Sequence, residues 1–300
     1  MTLKIVNATA RDTIDSTAEF ISMLNGNAET HIGYCGKKKE EIASTLRDEF
    51  TDVPYEKSFV LAYEGDTLAG SIGFDADLEQ RSAEVWGPFV ARDDLDLESL
   101  LFQQMLKLIP SKVDKLYLFP NKKNVLAKKL ASTNEFILKS EQTILNMDRT
   151  GGNYAKHPIL EEISPKQYKE MIDLHNRTFP KTYYDGEQII QRMTEHRKVF
   201  VVKKEDHLAG YIYVEVEPEF SEASIEFFAV DERFQGEGIG TELLKCAVAW
   251  IFSFKQMDSL QLCVNTTNSN AIRLYQKAGF QLDAELDHYE KNLKLSAAKV

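Results

Sequence analysis

The residues of this chain that could most directly do chemistry form a glycine-rich turn, Gln235–Gly240. Its glycines, Gly236, Gly238 and Gly240, alternate with other residues between a strand-like stretch and a helical pattern. Glycine lets a ligand approach the backbone closely, and the first amides of a helix have no intrahelical acceptor. Such a turn favours an anion, above all a phosphate group. The alternative is a flexible turn, because short glycine motifs also match by chance.

An internal repeat relates the two halves of the chain. Phe59–Gly70 corresponds to Val199–Gly210 at an offset of 140 residues, and both have the pattern strand, turn, strand. Asn124–Phe136 corresponds to Asn268–Phe280 at an offset of 144 residues. The halves are therefore predicted to share one fold. The offset differs by four residues between the two matches, so four residues were lost or gained between them.

The halves differ where the second half has its glycine turn. The corresponding segment of the first half, Ala91–Ser99, contains no glycine and four acidic residues. Carboxylates at this place would repel a phosphate group. The first half is therefore predicted to have the framework without the same ligand site.

The length of 300 residues predicts two domains, residues 1–150 and 151–300, joined by the flexible segment Thr150–Asn153. Hydrophobic patterns in the second half predict helices and strands in mixed order, which indicates a central sheet flanked by helices. The predicted helices and strands are Pro165–Thr178, Asp185–Glu195, Val199–Lys203, Leu208–Glu217, Ala223–Val230, Gly238–Phe254, Ser259–Val264, Asn270–Ala278 and His288–Leu293.

Three segments together resemble the GNAT superfamily of N-acyltransferases. They are the Q-x-x-G-x-G loop at Gln235–Gly240, the preceding strand Ile225–Val230, and Asn268–Phe280, which fits N-x-x-A-x-x-L-Y-x-x-x-G-F. The resemblance covers essentially all of the second half and, more faintly, the first. It implies an α/β (α+β) protein of two tandem GNAT-like domains, each a mixed, mostly antiparallel sheet flanked by helices. The first domain would be degenerate and non-catalytic.

The same resemblance implies acetyl-CoA as a co-substrate of the second domain, and no metal. The loop amides would hold the pyrophosphate, the strand before them would pair with the pantetheine arm as an added strand does, and an asparagine would contact that arm. The implied cofactor-binding residues are Phe228, Ala229, Val230, Gln235, Gly236, Glu237, Gly238, Ile239, Gly240, Thr241 and Asn268.

Transfer of an acetyl group to an amine requires a neutral amine, although an alkyl ammonium group has a pKa of about 10. Glu226, beside the point where the strands of GNAT proteins splay, is the first choice of base, directly or through water. The alternatives are that Glu226 merely faces solvent, or that a desolvated site lowers the pKa of the amine without a base.

Tyr275 is the candidate acid that would protonate the departing CoA thiolate, and the alternative is a core aromatic residue on an amphipathic helix. Its counterpart in the first half is Ala131, and Glu135 replaces Gly279 there. A backbone N–H near Ala229 or Val230 would stabilise the oxyanion, as in the family.

The acceptor side of the predicted site is less defined. One face of a strand carries Tyr211, Tyr213, Glu215 and Glu217, which would favour an ammonium group if it lined the cleft. The alternative is a polar face in contact with water. The segment Tyr183–Asp185 occupies a loop that commonly shapes the acceptor site in GNAT proteins.

The composition excludes several classes of protein. With 43% hydrophobic and 28% charged residues, the chain is typical of a globular protein, and no run reaches the roughly 18 apolar residues of a membrane span. A net charge of −11 opposes binding to nucleic acid or anionic membranes. Three unpatterned cysteines indicate neither disulfides nor zinc, and the N-terminus lacks a signal peptide, which predicts a cytoplasmic protein.

The resulting hypothesis is an acetyl-CoA-dependent N-acetyltransferase that acts on a primary amine of a small molecule or peptide. Two alternatives remain: a non-catalytic module that binds CoA or a partner, and a tandem-GNAT aminoacyltransferase, which the acidic charge opposes. The sequence leaves the acceptor amine and the oligomeric state open.

Overall fold

The computed structural model of the chain describes residues 3–8, 13–91, 96–149, 161–180, 182–219 and 221–294. The predicted linker, residues 150–153, and residues 92–95 of the acidic segment lie outside the described residues. Contacts divide the chain into two compact units. The first comprises Met1–Gln142 and Ala284–Val300, and the second comprises Thr143–Asp283.

The first unit opens with strands and helices that end near residue 133. Their bounds are β1 (Leu3–Asn7), α1 (Ile14–Asn25), α2 (Lys39–Ser44), α3 (Tyr55–Ser58), β2 (Val60–Glu64), β3 (Thr67–Asp77), β4 (Ser82–Val90), α4 (Leu97–Leu106), β5 (Lys115–Leu118) and α5 (Val125–Thr133). Strands β1 to β4 pair antiparallel in sequence order, and β5 pairs parallel with the start of β4.

The remaining helices and strands follow residue 136. Their bounds are β6 (Ile137–Asp148), β7 (Glu161–Glu162), α6 (Tyr168–Thr178), α7 (Gly186–Arg192), β8 (Arg197–Lys204), β9 (His207–Glu217), β10 (Glu222–Val230), α8 (Ile239–Ile251), β11 (Ser259–Asn265), α9 (Ser269–Ala278) and β12 (Gln281–Asn292). In the second unit, β10, β9, β8 and β7 form a sheet in which they pair antiparallel in this spatial order.

Two strands cross the boundary between the units along the chain. Strand β6 belongs to the first unit up to Gln142 and to the second from Thr143, and β12 belongs to the first unit from Ala284 onward. In the first unit, β12 pairs antiparallel with β5, where Tyr289 lies opposite Leu118. This division differs from the predicted one at residues 150 and 151, because strand pairing, which is not local in sequence, assigns the closing strand to the first unit.

Strand β9 explains why helices cover both faces of the second unit's sheet. Its side chains alternate, so that Ile212 and Val214 join the apolar cluster with α8, whereas Tyr211 and Tyr213 join the cluster with α6 and α7. The predicted fold, a mixed and mostly antiparallel sheet flanked by helices, is therefore confirmed. None of the helices that the structure describes is both long enough and apolar enough to cross a membrane.

Candidate functional site

The candidate site begins at an irregularity in β10. The register of β10 against β9 shifts between Ile225, opposite Val214, and Phe227, opposite Tyr213. Glu226 is the extra residue of this bulge. A bulge redirects a side chain and interrupts regular pairing, and bulges are frequent beside functional sites.

The chain leaves β10 through an anchored aspartate. Asp231 is buried, its carboxylate lies 2.5 Å from Arg177 and 2.9 Å from Arg233, and its own N–H donates to Ala209 at 2.9 Å. The bond from Arg233, followed by the charges of both arginines, lowers the pKa of Asp231 to about 2. These contacts fix the backbone at the entrance to the glycine turn.

The glycine turn requires glycine for its backbone conformation. Gly236 and Gly238 have φ values of 87° and 86°, in the left-handed region, and a Cβ on either would have no atom within 4 Å. Gly238 is the N-cap of α8, and its carbonyl oxygen accepts the N–H groups of Thr241 and Glu242. Among the described residues, the amides of Gly236 to Gly238 donate no backbone hydrogen bond, which leaves them available to an anion.

An open cleft with a volume of about 710 Å³ lies at this turn. Nine of the eleven predicted cofactor-binding residues line it: Phe228, Ala229, Val230, Gln235, Gly236, Gly238, Ile239, Gly240 and Thr241. The structure thus places the end of β10 and the start of α8 around one cavity.

Glu237 and Asn268, which the structure describes, do not line the cleft. The Glu237 carboxylate lies 3.7 Å from the Lys204 ammonium group. The Asn268 side chain is the N-cap of α9 and accepts the N–H of Ala271 at 3.1 Å. In this arrangement Asn268 stabilises the helix start, because its oxygen satisfies one of the free amides there.

The sequence analysis missed the part of the cleft formed by α9, which includes Arg273 and Lys277. These two cations are four residues apart, so they share one face of the helix. No carboxylate is among the described lining residues, and neither cation has an ion pair in the described part of the chain. The cleft therefore favours an anion although the chain carries a net charge of −11. The i, i+4 spacing of the two cations after the Asn268 cap was the signal available in the sequence.

Tyr275 lies next to the cleft without lining it. Its ring is half-buried, with centroids 6.1 Å from Phe228, which does line the cleft, and 5.7 Å from Phe280. Burial raises the pKa of the Tyr275 phenol, which therefore stays protonated near neutral pH. This geometry places a protonated phenol beside the end of β10 that borders the cavity.

Glu226 receives a hydrogen bond from the loop between α6 and α7. The Tyr183 hydroxyl donates to Glu226 Oε2 at 2.5 Å, and the Tyr183 ring packs against Phe227 with centroids 4.9 Å apart. Burial and the neighbouring carboxylate raise the pKa of Tyr183. Glu226 is thus neither a simple solvent-facing residue nor part of the cleft lining.

A buried histidine anchors this loop. His175 Nε2 donates to the carbonyl oxygen of Tyr184 at 2.8 Å, and Nδ1 lies 2.5 Å from the Tyr211 hydroxyl. Burial lowers the pKa of His175, which favours the neutral imidazole. Because a carbonyl oxygen accepts only, Nε2 carries the proton and Nδ1 accepts from Tyr211. The hydrogen bond from His175 to Tyr184, the residue next to Tyr183, therefore holds this loop in place.

The acidic and aromatic face of β9 is divided: Glu217 at its end is exposed, as the alternative of a face in contact with water predicted, whereas the rest of the face is covered. Tyr211 and Tyr213 are buried in the core cluster with α6 and α7, so they line no open cleft and face no water. The Glu215 side chain is 12% exposed and forms ion pairs with Arg192 and Arg197. Packing of two helices on this face, which the strand pattern alone does not show, explains the difference.

The cleft fits CoA in the chemistry of its groups. Free amides at a helix start and two cations suit a pyrophosphate, and β10 is the edge strand of its sheet. Within the described residues, no group of three or more His, Cys, Asp or Glu residues could hold a metal ion.

Similar proteins were found by sequence. The chain is 28% identical over 126 residues to the spermine/spermidine N(1)-acetyltransferase of Bacillus subtilis, a match that covers 39% of this chain and 83% of that protein. It is 31% identical over 90 residues to the spermidine N(1)-acetyltransferase of Escherichia coli, covering 30% of this chain and 48% of that protein.

Solved structures show a similar fold over nearly the whole chain. A GCN5-related N-acetyltransferase from Sphaerobacter thermophilus has a TM-score of 0.61 at 13% identity, covering 97% of this chain and 95% of that one. A tandem GNAT protein from the clavulanic acid biosynthesis pathway has a TM-score of 0.54 at 12% identity, covering 97% and 98%. Residues 168–280, which lie within the second unit, match the sequence model of the acetyltransferase (GNAT) family.

Proposed function

We propose that the second unit transfers an acetyl group from acetyl-CoA to a primary amine. This proposal rests on the cleft at the start of α8. Free amides, Arg273 and Lys277 line this cleft, and no carboxylate is among its described lining residues. Such a site binds a pyrophosphate through dipoles and charge together. Two sequence relatives are named as polyamine acetyltransferases, and these names support an amine as the acceptor.

In this proposal, the amides of Gly236 to Gly240 and the two cations hold the pyrophosphate. The backbone of Phe228, Ala229 and Val230 pairs with the pantetheine arm, since β10 is an edge strand. Bound acetyl-CoA supplies the activated acyl carbon. Burial between Phe228 and Phe280 keeps Tyr275 in a fixed orientation beside this strand.

The reaction forms a C–N bond, breaks a C–S bond and removes two protons from the ammonium nitrogen. Glu226 accepts the first proton before attack, and the Tyr183 hydroxyl, already bonded to Glu226, orients that carboxylate. Tyr275, whose raised pKa keeps the phenol neutral, donates a proton to the departing sulfur, and the second proton from nitrogen restores the phenol. A backbone N–H at the end of β10 stabilises the oxyanion.

The test combines binding with turnover. Acetyl-CoA should raise the melting temperature of the chain, and a panel of alkylamines, polyamines, amino acids and peptides should yield an acetylated product by mass spectrometry. Mass spectrometry is preferable to thiol reagents, because Cys263 is exposed and would react with them. Absence of a thermal shift contradicts the cleft assignment, whereas a shift without any acetylated amine indicates a CoA-binding module.

A further inference from the structure

The last turn of α6 contacts several different parts of the second unit through four consecutive residues: His175, Asn176, Arg177 and Thr178. Successive residues of a helix point about 100° apart, so neighbours in sequence face different surroundings. The first two of these residues contact the segment that follows the helix, and the last two contact the glycine turn and its cleft.

His175 and Asn176 hold the segment that follows α6. The ring of His175 donates to the carbonyl oxygen of Tyr184 at 2.8 Å. The side-chain oxygen of Asn176 accepts the N–H of Gly186, the first residue of α7, at 2.8 Å. This segment carries Tyr183, the residue that orients the predicted base. The position of the base therefore depends on the last turn of α6.

Arg177 joins the same helix turn to the entrance of the glycine turn. Its Nη2 lies 2.5 Å from Oδ2 of Asp231, the buried residue that directly follows β10. The other arginine at this carboxylate, Arg233, is two residues away in sequence, so its bonds stay within the segment that leads into the turn. Arg177 is 54 residues away. Of the two arginines, only Arg177 links the turn to α6.

Thr178 brings α6 to the cleft itself. It lines the cleft beside the glycine turn, and its hydroxyl donates to the carbonyl oxygen of Leu174 at 2.7 Å, which fixes its side chain to the helix. The next residue, Phe179, packs on Phe227 with ring centroids 5.3 Å apart, and Tyr183 packs on the same ring at 4.9 Å. A ligand in contact with Thr178 therefore acts on the helix end that packs next to the predicted base.

From these contacts we infer that the last turn of α6 couples the cleft to the acceptor side of the site, and that Arg177 is the positioning residue of this link. Acetyl-CoA in the cleft contacts Thr178 and the glycine turn together, which restrains the loop between α6 and α7 so that Tyr183 holds Glu226 in place. A loop already ordered by one ligand costs less to order for the second. The inference rests on the proposed function and adds a residue that does not line the cleft.

The first test measures hydrogen exchange with and without CoA, which occupies the cleft without turnover. In the unaltered chain, CoA should slow the exchange of peptides that span residues 179–193 about fivefold, although none of the described residues in this range lines the cleft. Arg177→Gln should still bind CoA by isothermal titration, but its loop should exchange at the unliganded rate. Binding of CoA to the unaltered chain without slower exchange of the loop would overturn the inference, whereas failure of CoA to bind would contradict the proposed function itself.

The second test asks whether Arg177 acts through Tyr183, with the most active amine of the panel as substrate. Arg177→Gln and Tyr183→Phe should each lower kcat/KM for the amine about tenfold, and the double variant should also lose only about tenfold, because both changes release the same carboxylate. Arg177→Lys, which keeps the charge, should recover most of the loss. Independent effects, as expected of general destabilisation, would multiply to about 100-fold in the double variant and contradict the inference.

The matched control is Arg233→Gln, which removes the other cation of Asp231 and leaves the link to α6 in place. At saturating acetyl-CoA, this variant should change the KM for the amine less than about twofold, whereas Arg177→Gln should raise it about tenfold. An equal rise in both variants would mean that Asp231 needs both arginines to hold the turn, and the assignment of Arg177 to the acceptor side would be wrong.

Discussion

The start of α4 in the first unit and the start of α8 in the second have the same backbone arrangement and packing, but they differ in charge. Each helix begins after a residue in the left-handed region, Asp96 with φ 46° and Gly238 with φ 86°. Leu97 and Leu101 of α4 pack on Gly70, just as Ile239 and Leu243 of α8 pack on Gly210. This equivalence places Glu98 of the first unit where the second unit has Gly240.

A second helix packs near each of these helix starts, α5 in the first unit and α9 in the second, and the equivalent cations of these two helices differ in their partners. In the first unit, Lys129 of α5 binds Asp96 at 2.8 Å and Glu98 at 3.0 Å. Its repeat counterpart, Arg273 of α9, instead lines the cleft without an ion pair among the described residues. The first unit thus fills its helix start with its own carboxylates, whereas the second leaves the same place open to an anion.

The second difference lies two residues further along the same helix. Asn124 and Asn268 cap α5 and α9 in the same way, by accepting the N–H of the residue three positions on. Tyr275 of α9 corresponds to Ala131, which is fully buried in the core of the first unit. These differences support the proposal that the first unit is non-catalytic and does not hold acetyl-CoA in the same way.

The largest expected effect comes from copying the first unit into the second. Gly240→Glu should weaken acetyl-CoA binding about 100-fold, because the new carboxylate would pair with Arg273 as Glu98 pairs with Lys129. A Cβ at residue 240 would lie 3.4 Å from Leu274, an ordinary contact, so the helix should tolerate the change. Isothermal titration gives the Kd. Gly240→Gln, of similar size and neutral, should cost about tenfold, and equal losses for both would mean that bulk and not charge closes the site.

Removal of the phenol should affect turnover and spare binding. Tyr275→Phe is expected to lower kcat about 100-fold, the lower end of the range of one general acid, while the Kd for acetyl-CoA stays constant. The measurements are steady-state kinetics and titration on the same preparation. Tyr289→Phe, a tyrosine of the first unit whose pKa burial also raises, serves as the control and should keep full activity. Normal kcat in Tyr275→Phe would remove this residue from the mechanism.

Substitution of the two equivalent cations, Arg273 and Lys129, should have opposite effects on acetyl-CoA binding and on stability. Arg273→Gln should weaken acetyl-CoA binding about tenfold and leave the melting temperature of the unliganded chain nearly unchanged. Lys129→Gln should do the reverse and lower the melting temperature, because it leaves the buried Glu98 carboxylate without its cation. Hydrogen exchange of α4 and α5 would locate that loss. If Lys129→Gln weakened acetyl-CoA binding, the contrast between the helix starts would fail.

The smallest effect concerns Asp75 and Glu215, which are repeat counterparts. Asp75 lies opposite Glu84 and has no described cation partner, and burial raises its pKa from 3.8 to about 6. Its raised pKa means that its contribution to stability is full below pH 4 and is lost as the pH rises through 6. Asp75→Asn should therefore stabilise the chain by about 1 kcal/mol at pH 8 and much less at pH 4.

Thermal melts at both pH values measure this difference. Glu215→Gln is the opposite case, because the pKa of Glu215 is lowered and its contribution is present above its ordinary pKa. This variant should be less stable than the unaltered chain at pH 8, with a smaller difference at pH 4. Stabilisation by Glu215→Gln at pH 8 would mean that the ion pairs of Glu215 with Arg192 and Arg197 do not stabilise the chain.

Local patterns in the sequence were sufficient for the repeat, the order of helices and strands in the second half, and the turn at Gln235–Gly240. Alternating apolar residues and left-handed glycines are properties of neighbouring residues, so they can be identified without tertiary contacts. The same local information indicated that Ala131 replaces Tyr275 and that acids replace the glycines in the first half. These replacements are the basis of the comparison between the units.

Contacts between distant residues determined the rest of the molecule. Pairing of β12 with β5 assigns Ala284 and the residues after it to the first unit, and helix packing buries Tyr211 and Tyr213 instead of exposing them. The strand pattern alone offered the charge of Glu215 to a ligand, but its pairing with Arg192, 23 residues away, neutralises that charge. Strand pairing, burial and charge neutralisation each depend on which distant residues come into contact in the folded chain. The spacing of neighbouring residues carries no information about those contacts.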